Sequence, residues 1–355
     1  QLGLSQRTID QEVAPERGRI FALASQSEDG ELYPLAVNKV FYEIALDPKM
    51  ITRPQNIADI LSKNLEIDVN VIKEKAGLTD KRYEVVAKNV SEDKVGRIKD
   101  ELNILLEDVN KSLLGPKKLI AIQDLGIILK KSVLRFYPDK EVGAHLLGFL
   151  GFDEDGVSRE GKYGLEGYFD DELSGLSGKI VGEKDVAGVL LYDSQGEQAR
   201  PGADVVLTID HTVQYKACQA LQKAVEKNMA DSGTVIVMET ATGAIRAMCD
   251  YPSFDPNDYG KVESPEVYNN LAVFQNYEPG SVMKAISMAI AINEGKVTPE
   301  TSYEDTGEIK FAFGQVIRNA GKKEYGWSDM KKVLAYSINT GIVFATQDVP
   351  NKIFH

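Results

Sequence analysis

The sequence predicts an α+β protein, and three observations carry that reading. The chain opens with a pair of strands, a long stretch of helical periodicity follows, and beyond residue 200 a helix is succeeded by an antiparallel hairpin. A glycine-rich phosphate loop, which a parallel nucleotide-binding sheet would carry, is absent.

Each element has its own signal. From Gly18 to about Pro48 apolar and polar residues alternate around a turn signal, Ser27-Glu28-Asp29-Gly30, as two strands would. In the second strand Phe41, Glu43 and Ala45 share one face and Tyr42, Ile44 and Leu46 the other, ending at Asp47-Pro48. Ile57, Ile60, Leu61 and Leu65 then recur at helix spacing, and Val95, Ile98, Leu102, Leu105, Leu106 and Val109 make a longer stripe ending near Gly115-Pro116. These read as helices packed on a small scaffold, without chemistry.

Between about Lys117 and Arg200 short β-like runs return, such as Gly126 to Phe136, and the glycine-rich stretch from Gly143 to Gly188 reads as loops and tight turns. Asp153-Glu154-Asp155-Gly156 lacks the other ligands of a calcium loop and reads as a solvated turn. A change of character at Arg200-Pro201-Gly202 marks an expected domain boundary, separating 1–200 from 201–355. Past it, Val205 to Thr208 is extended, and Asp210 stands at an N-cap before Val213, Ala217, Leu221 and Val225 at helical spacing. Thr234 to Glu239 and Ala244 to Cys249 flank Ala241-Thr242-Gly243 as the arms of a hairpin.

Composition narrows the classes. The 355 residues exceed one ordinary core and fit two or three domains, while 43% hydrophobic and 27% charged residues match a water-soluble globular chain. A net charge of -13 repels a phosphate backbone, so nucleic acid is excluded as a partner. Cys218 and Cys249 form no CxxC pair; two buried free thiols are favoured over one bridge, and the pairing stays open. Three histidines, His145, His211 and His355, assemble no metal-ligand spacing, and no cofactor is expected. No run of about 18 or more apolar residues is present, and Gln1 is not an initiator, so something is expected to precede it.

Chemistry concentrates in two short segments. Tyr277-Glu278-Pro279-Gly280-Ser281-Val282-Met283-Lys284 opens an apolar helical run through Met288, Ile290 and Ile292. Ser281 sits at the helix start and Lys284, three residues on, overlies the same face, so its amine can reach the hydroxyl. Unpaired N–H groups at that terminus would stabilise an oxyanion. A serine hydroxyl needs a base, and lysine serves only if its surroundings favour the neutral amine, as burial and the helix N-terminus do. Alone, Ser-x-x-Lys reads more blandly as an N-cap serine with a solvated lysine. Further on, Ala335-Tyr336-Ser337-Ile338-Asn339-Thr340-Gly341 supplies Ser-x-Asn, in which Ser337 could pass a proton to a leaving amine and Asn339 orient a peptide. By itself that triplet is equally a cap or turn. Tyr336, Asn270 and Trp327 are cleft-lining or packing residues with equal weight.

In combination the segments resemble the penicillin-binding proteins, which share Ser-x-x-Lys, a Ser-x-Asn type triplet and Lys-Thr-Gly with the β-lactamases. The class B members are resembled most, through Ala14-Pro15-Glu16-Arg17-Gly18-Arg19-Ile20, Arg135-Phe136-Tyr137-Pro138, His145-Leu146-Leu147-Gly148-Phe149, Gly164-Leu165-Glu166-Gly167-Tyr168 and Leu173-Ser174-Gly175, then Leu207-Thr208-Ile209-Asp210 with Gln214, Thr242-Gly243-Ala244 and Pro252-Ser253-Phe254-Asp255-Pro256-Asn257. These run in order along nearly the whole chain.

The resemblance implies an elongated N-terminal module of pedestal or dimerisation type over 1–200. It implies a transpeptidase domain over 201–355, with an antiparallel sheet flanked by helices. Catalytic roles fall on Ser281, Lys284 and Ser337, and substrate contacts on Asn339, Gly280 and Thr340. Implied partners are peptidoglycan stem peptides, β-lactams, divisome or elongasome proteins, and the cell membrane through an anchor not in this sequence. Two departures matter. The family's Asp-Arg-Asn-Gly turn is rebuilt as Ala22 to Gly30, and no Lys-Thr-Gly or Lys-Ser-Gly follows Asn339. The domain is therefore expected to be incomplete and the chain as given to turn over little. The rival readings are a serine β-lactamase, disfavoured by the long module before residue 201, and a non-catalytic penicillin-binding scaffold or sensor.

Overall fold

A computed structural model describes residues 8–24, 30–112, 121–153, 156, 158–184, 190–193, 197–312 and 314–354. By its contacts the chain divides into two compact units, Gln1–Gln275 and Asn276–His355.

In the first unit strand β1 (Thr8–Val13) is followed by β2 (Ile20–Leu23) and β3 (Leu32–Leu46), which pair antiparallel from Ile20 opposite Ala36 to Leu23 opposite Leu32. This is the strand pair expected from alternation; residues 25–29 of its turn lie outside the described residues. Helices α1 (Pro54–Leu65) and α2 (Val69–Ala76) come next, then β4 (Glu84–Ser91) and α3 (Glu92–Ser112). Pro54 suits a first helical turn, where its missing N–H costs nothing, and Asp68 caps α2 by accepting from the Asn70 N–H at 2.7 Å. The end of α3 expected near Gly115-Pro116 falls outside the described residues.

Strand β5 (Ile127–Phe136) pairs with β3 along its whole length, from Phe136 opposite Val37 to Ile127 opposite Leu46, while β4 takes the other edge of β3. The helix stripes face this sheet: Ile57, Leu61, Ile72, Val95, Ile98 and Leu102 are fully buried or nearly so with Ile44, Leu46 and Ile127. Each such side chain contributes roughly 1.5–3 kcal/mol by leaving water.

The stretch 143–188 is more regular than its glycines suggested. It holds helical turns at Ala144–Leu147, Gly164–Tyr168 and Asp170–Ser174 and the hairpin β6 (Phe149–Phe152) and β7 (Arg159–Lys162), and β8 (Gly178–Lys184) pairs with β1 and with β9 (Leu190–Asp193). Burial explains the order, because Leu147, Phe149 and Leu173 belong to a second core with Ile20, Leu35, Tyr137 and Phe254. Residues 154 and 155 of the acidic turn lie outside the described residues.

Four residues from three separate segments meet beside this core. Glu166, fully buried, accepts from Arg135 Nε at 2.6 Å, from Arg17 Nε at 2.9 Å and from the Tyr137 hydroxyl at 3.2 Å. Buried charges persist when they are paired and hydrogen-bonded in this way.

After Gly202 the chain returns to this sheet, where β10 (Val205–Asp210) runs parallel to β2. Asp210 caps α4 (His211–Asn228) as expected, accepting from the Val213 N–H at 2.9 Å. The expected hairpin is present as β11 (Gly233–Met238) and β12 (Ile245–Tyr251). The favoured reading of two free thiols is corrected: α4 packs on β12, its Cα at Cys218 comes within 5.4 Å of that of Cys249, and the two sulfurs are bonded.

The second unit contains α5 (Met283–Asn293), β13 (Ser302–Asp305), β14 (Glu308–Lys310), β15 (Val316–Arg318), β16 (Gly326–Asp329), α6 (Met330–Ala335) and α7 (Asn339–Thr346). Strands β13 and β16 pair antiparallel, as do β14 and β15. Met288 and Ala291 of α5, Tyr303 of β13, Met330 and Val333 of α6, Ile338 and Ala345 form its core. No described helix is long and apolar enough to cross a membrane.

Candidate active site

A 3-10 turn, Gly280–Val282, leads into α5. Gly280 adopts φ 55°, a left-handed conformation that a residue without Cβ takes at no steric cost. That places Ser281 one helical turn ahead of Lys284, with the serine exposed. Among the described residues no hydrogen bond joins the Ser281 hydroxyl to a partner, whereas the amine is fully engaged. Lys284 Nζ donates to the Ser337 carbonyl at 2.6 Å, to Ser337 Oγ at 3.0 Å and to Asn339 Oδ1. Three acceptors match the three donors of an ammonium group. Burial lowers the Lys284 pKa from the ordinary lysine value and so moves the same group towards the neutral amine.

Ser337 is held in an unusual conformation by the end of α6. Asp329 starts that helix by accepting from the Lys332 N–H at 2.8 Å. At the other end the Ser337 N–H donates to Leu334 at 3.2 Å and the Ile338 N–H to Val333 at 2.9 Å, which is the Schellman pattern of helix termination. The first of these two residues is left-handed in that motif and is usually glycine, yet here it is Ser337, with φ 54°. Holding a side chain there costs about 1–2 kcal/mol. The hydroxyl thereby reaches Lys284 across 53 residues of sequence.

Asn339 opens α7 and donates from Nδ2 to the Arg318 carbonyl at 2.7 Å, which leaves its Oδ1 for the amine. Thr340 differs from expectation. It is 1% exposed, and its hydroxyl donates to Asp305 Oδ1 at 2.6 Å and lies 3.1 Å from the Tyr303 hydroxyl, so it is spent inside the unit and not offered to a substrate. Gly341 allows α7 to approach α6, since a Cβ there would stand 2.3 Å from Val333 Cγ2.

Residues the sequence reading missed lie behind this turn. Asp305, Asn319 and Tyr303 bond to Thr340. Asp305-Thr306-Gly307 reads locally as a turn, but nothing in its spacing ties it to Thr340, 35 residues on. Of the aromatic candidates, Trp327 and Tyr336 are 71% and 61% exposed. Asn270 instead caps the helical turn Leu271–Phe274, accepting from the Ala272 N–H at 3.0 Å, a packing role in the first unit. Chemically, the cluster offers an exposed hydroxyl, an amine biased towards neutrality one turn away, and a second hydroxyl on that amine able to relay a proton.

Comparison with known proteins accords with this geometry. The family described as penicillin-binding protein dimerisation domain matches residues 12–207, and the penicillin binding protein transpeptidase domain matches residues 233–355. Stage V sporulation protein D of Bacillus subtilis is 31% identical over 333 residues, 93% of this chain and 46% of that protein. The peptidoglycan D,D-transpeptidase FtsI of Escherichia coli K12 is 30% identical over 217 residues, 61% of this chain and 35% of that protein. This chain thus spans less than half the length of these relatives. The solved structure of penicillin binding protein 2X from Streptococcus thermophilus superposes with a TM-score of 0.68 at 20% identity, covering 98% of this chain and 51% of that one. At that identity the likeness is one of fold.

Proposed function

The chain belongs to the class B penicillin-binding proteins, and we propose that it is the extracytoplasmic part of a peptidoglycan DD-transpeptidase working through a serine acyl-enzyme. The observation that carries this reading is the convergence of Ser337 and Asn339 on the amine of Lys284, one turn beyond Ser281. Residues 1–200 act as the N-terminal pedestal or dimerisation module and 201–355 carry the transpeptidase chemistry, a division supported by the two family matches.

In the proposed reaction the Ser281 hydroxyl attacks the carbonyl of a D-Ala-D-Ala bond while Lys284, as the neutral amine, takes its proton. The C–N bond breaks, and the departing D-Ala amine receives a proton relayed from Lys284 through Ser337. Asn339 orients the donor peptide. An amine of a neighbouring stem peptide then attacks the acyl-enzyme, restoring the Ser281 hydroxyl and leaving a cross-link. Gly280 frees the approach to the serine by carrying no side chain. Penicillins enter as donor mimics and stop at the acyl stage. The further partners are divisome or elongasome proteins, and a membrane anchor outside this sequence holds the protein at the cell surface.

Labelling with a fluorescent penicillin tests the reading. The full-length protein is expected to label covalently and its Ser281→Ala variant to remain dark; a labelled variant removes Ser281 from the role.

A further inference from the structure

The turn carrying Ser337 and Asn339 is fastened from behind by one buried carboxylate. Asp305, at the end of β13, is 2% exposed. Its Oδ1 accepts from Thr340 Oγ1 at 2.6 Å, from Asn319 Nδ2 at 3.0 Å and from the Gly307 N–H at 3.2 Å. Its Oδ2 accepts from Asn319 Nδ2 at 2.9 Å and from the Tyr325 N–H at 2.8 Å. Asn319 completes the circuit, since its Oδ1 accepts from the Thr340 N–H at 3.2 Å. The carboxylate therefore grips Asn339 from two sides: through Thr340, the next residue, and through Asn319, the neighbour of the Arg318 whose carbonyl Asn339 bonds. Burial alone would raise the Asp305 carboxyl, but donors led by Thr340 outweigh it and hold the group below the ordinary carboxylate value.

We propose that Asp305 is a positioning residue for acylation, holding Asn339 and through the same turn Ser337 in register with the Lys284 amine without itself touching substrate. This rests on the reading of Ser281, Lys284, Ser337 and Asn339 as the acylation machinery. The physical case is one of tolerance. Two acceptors from one short turn must meet one amine, and a misplacement of about 1 Å in such a constellation can cost on the order of a hundredfold in rate. An asparagine at 305 would have the same shape but would aim an NH2 at the Tyr325 or Asn319 donors. A buried donor facing a donor is relieved only by movement.

Time-resolved labelling of the full-length protein with a fluorescent penicillin separates the first-order acylation constant from the dissociation constant of the preceding complex. It is run at a temperature where circular dichroism shows each variant folded. Asp305→Asn is expected to lower the acylation constant about tenfold or more while the dissociation constant moves less than about threefold. Thr340→Val removes a single donor and spares the carboxylate; it is expected to slow acylation as well, and it decides the matter if Asp305→Asn does not fold. Acylation unchanged in both single variants overturns the inference. Labelling of Ser281→Ala would instead overturn the assignment of the nucleophile.

Discussion

Lys284 Nζ stands 3.0 Å from Ser337 Oγ, and no comparable bond joins it to Ser281. The resting amine is therefore docked on Ser337 and Asn339, and in the proposed reaction it must release one of these acceptors to serve Ser281. Folding lowers its pKa through burial, so the folded protein holds this proton less tightly than the unfolded chain. The charged amine thus costs stability below its folded pKa, and that cost fades as the pH rises towards the unfolded lysine value. Acylation by fluorescent penicillin should accordingly rise with pH through a midpoint below the ordinary lysine value. Lys284→Arg, which keeps the charge but cannot supply a neutral amine, should lose about a hundredfold or more and show no such rise. A parent profile flat across that range would dismiss Lys284 as the base.

Ser337 pits local stability against chemistry. In its left-handed position glycine is the unstrained choice, while alanine keeps the strain and removes only the hydroxyl. Thermal unfolding should rank Ser337→Gly above Ser337→Ala by about 1 kcal/mol. Both variants should lose the relay and slow the formation or turnover of the acyl-enzyme. Equal stability of the two would mean that the position is not left-handed in solution.

What could be read in advance followed the range of each interaction. The Asp210 cap and the Ser281 to Lys284 spacing are local: side-chain type and helical period decide them within one turn. The pairing of β2 with β3 was legible because alternation and a turn signal lie together in sequence. Lys284 with Asn339 spans 55 residues, and only the joint likeness of two triplets to one family linked them. The role of Asp305 left no trace, since its donors beyond its own turn, Asn319, Tyr325 and Thr340, meet it only once the fold is formed. Thr340 was misjudged for the related reason that its neighbours in sequence face the amine while its own hydroxyl points inward.

The Cys218–Cys249 bridge joins α4 to β12 and closes a loop of 31 residues. Restricting the unfolded chain to that extent stabilises the fold by about 3–4 kcal/mol in a loop-entropy estimate. Urea unfolding of the first unit should shift to lower midpoint by a corresponding amount in Cys218→Ser with Cys249→Ser, or on adding dithiothreitol. Alkylation under non-reducing conditions should leave both sulfurs unmodified. Ready alkylation of the native protein would restore the reading of two separate thiols.

Glu166 offers the sharpest test of the first unit, because a fully buried carboxylate there serves two arginines from separate segments, 149 and 31 residues away in sequence. Arg135 is itself 2% exposed at the side chain, so neither charge can turn to water if its partner is removed. Replacing an entire buried pair by apolar groups is often harmless, but breaking one leaves an uncompensated charge, at about 3–5 kcal/mol. Glu166→Gln keeps the shape, removes the charge and leaves Arg17 and Arg135 with a neutral acceptor. It should therefore cost more than a typical surface change, and Glu166→Ala, which also opens a void against the Tyr137 hydroxyl, should cost more again. Equilibrium urea unfolding followed by circular dichroism reads both. A loss below about 1 kcal/mol in Glu166→Ala would show that water or a rearranged arginine takes the place of the carboxylate, and that this contact does not hold the three segments together.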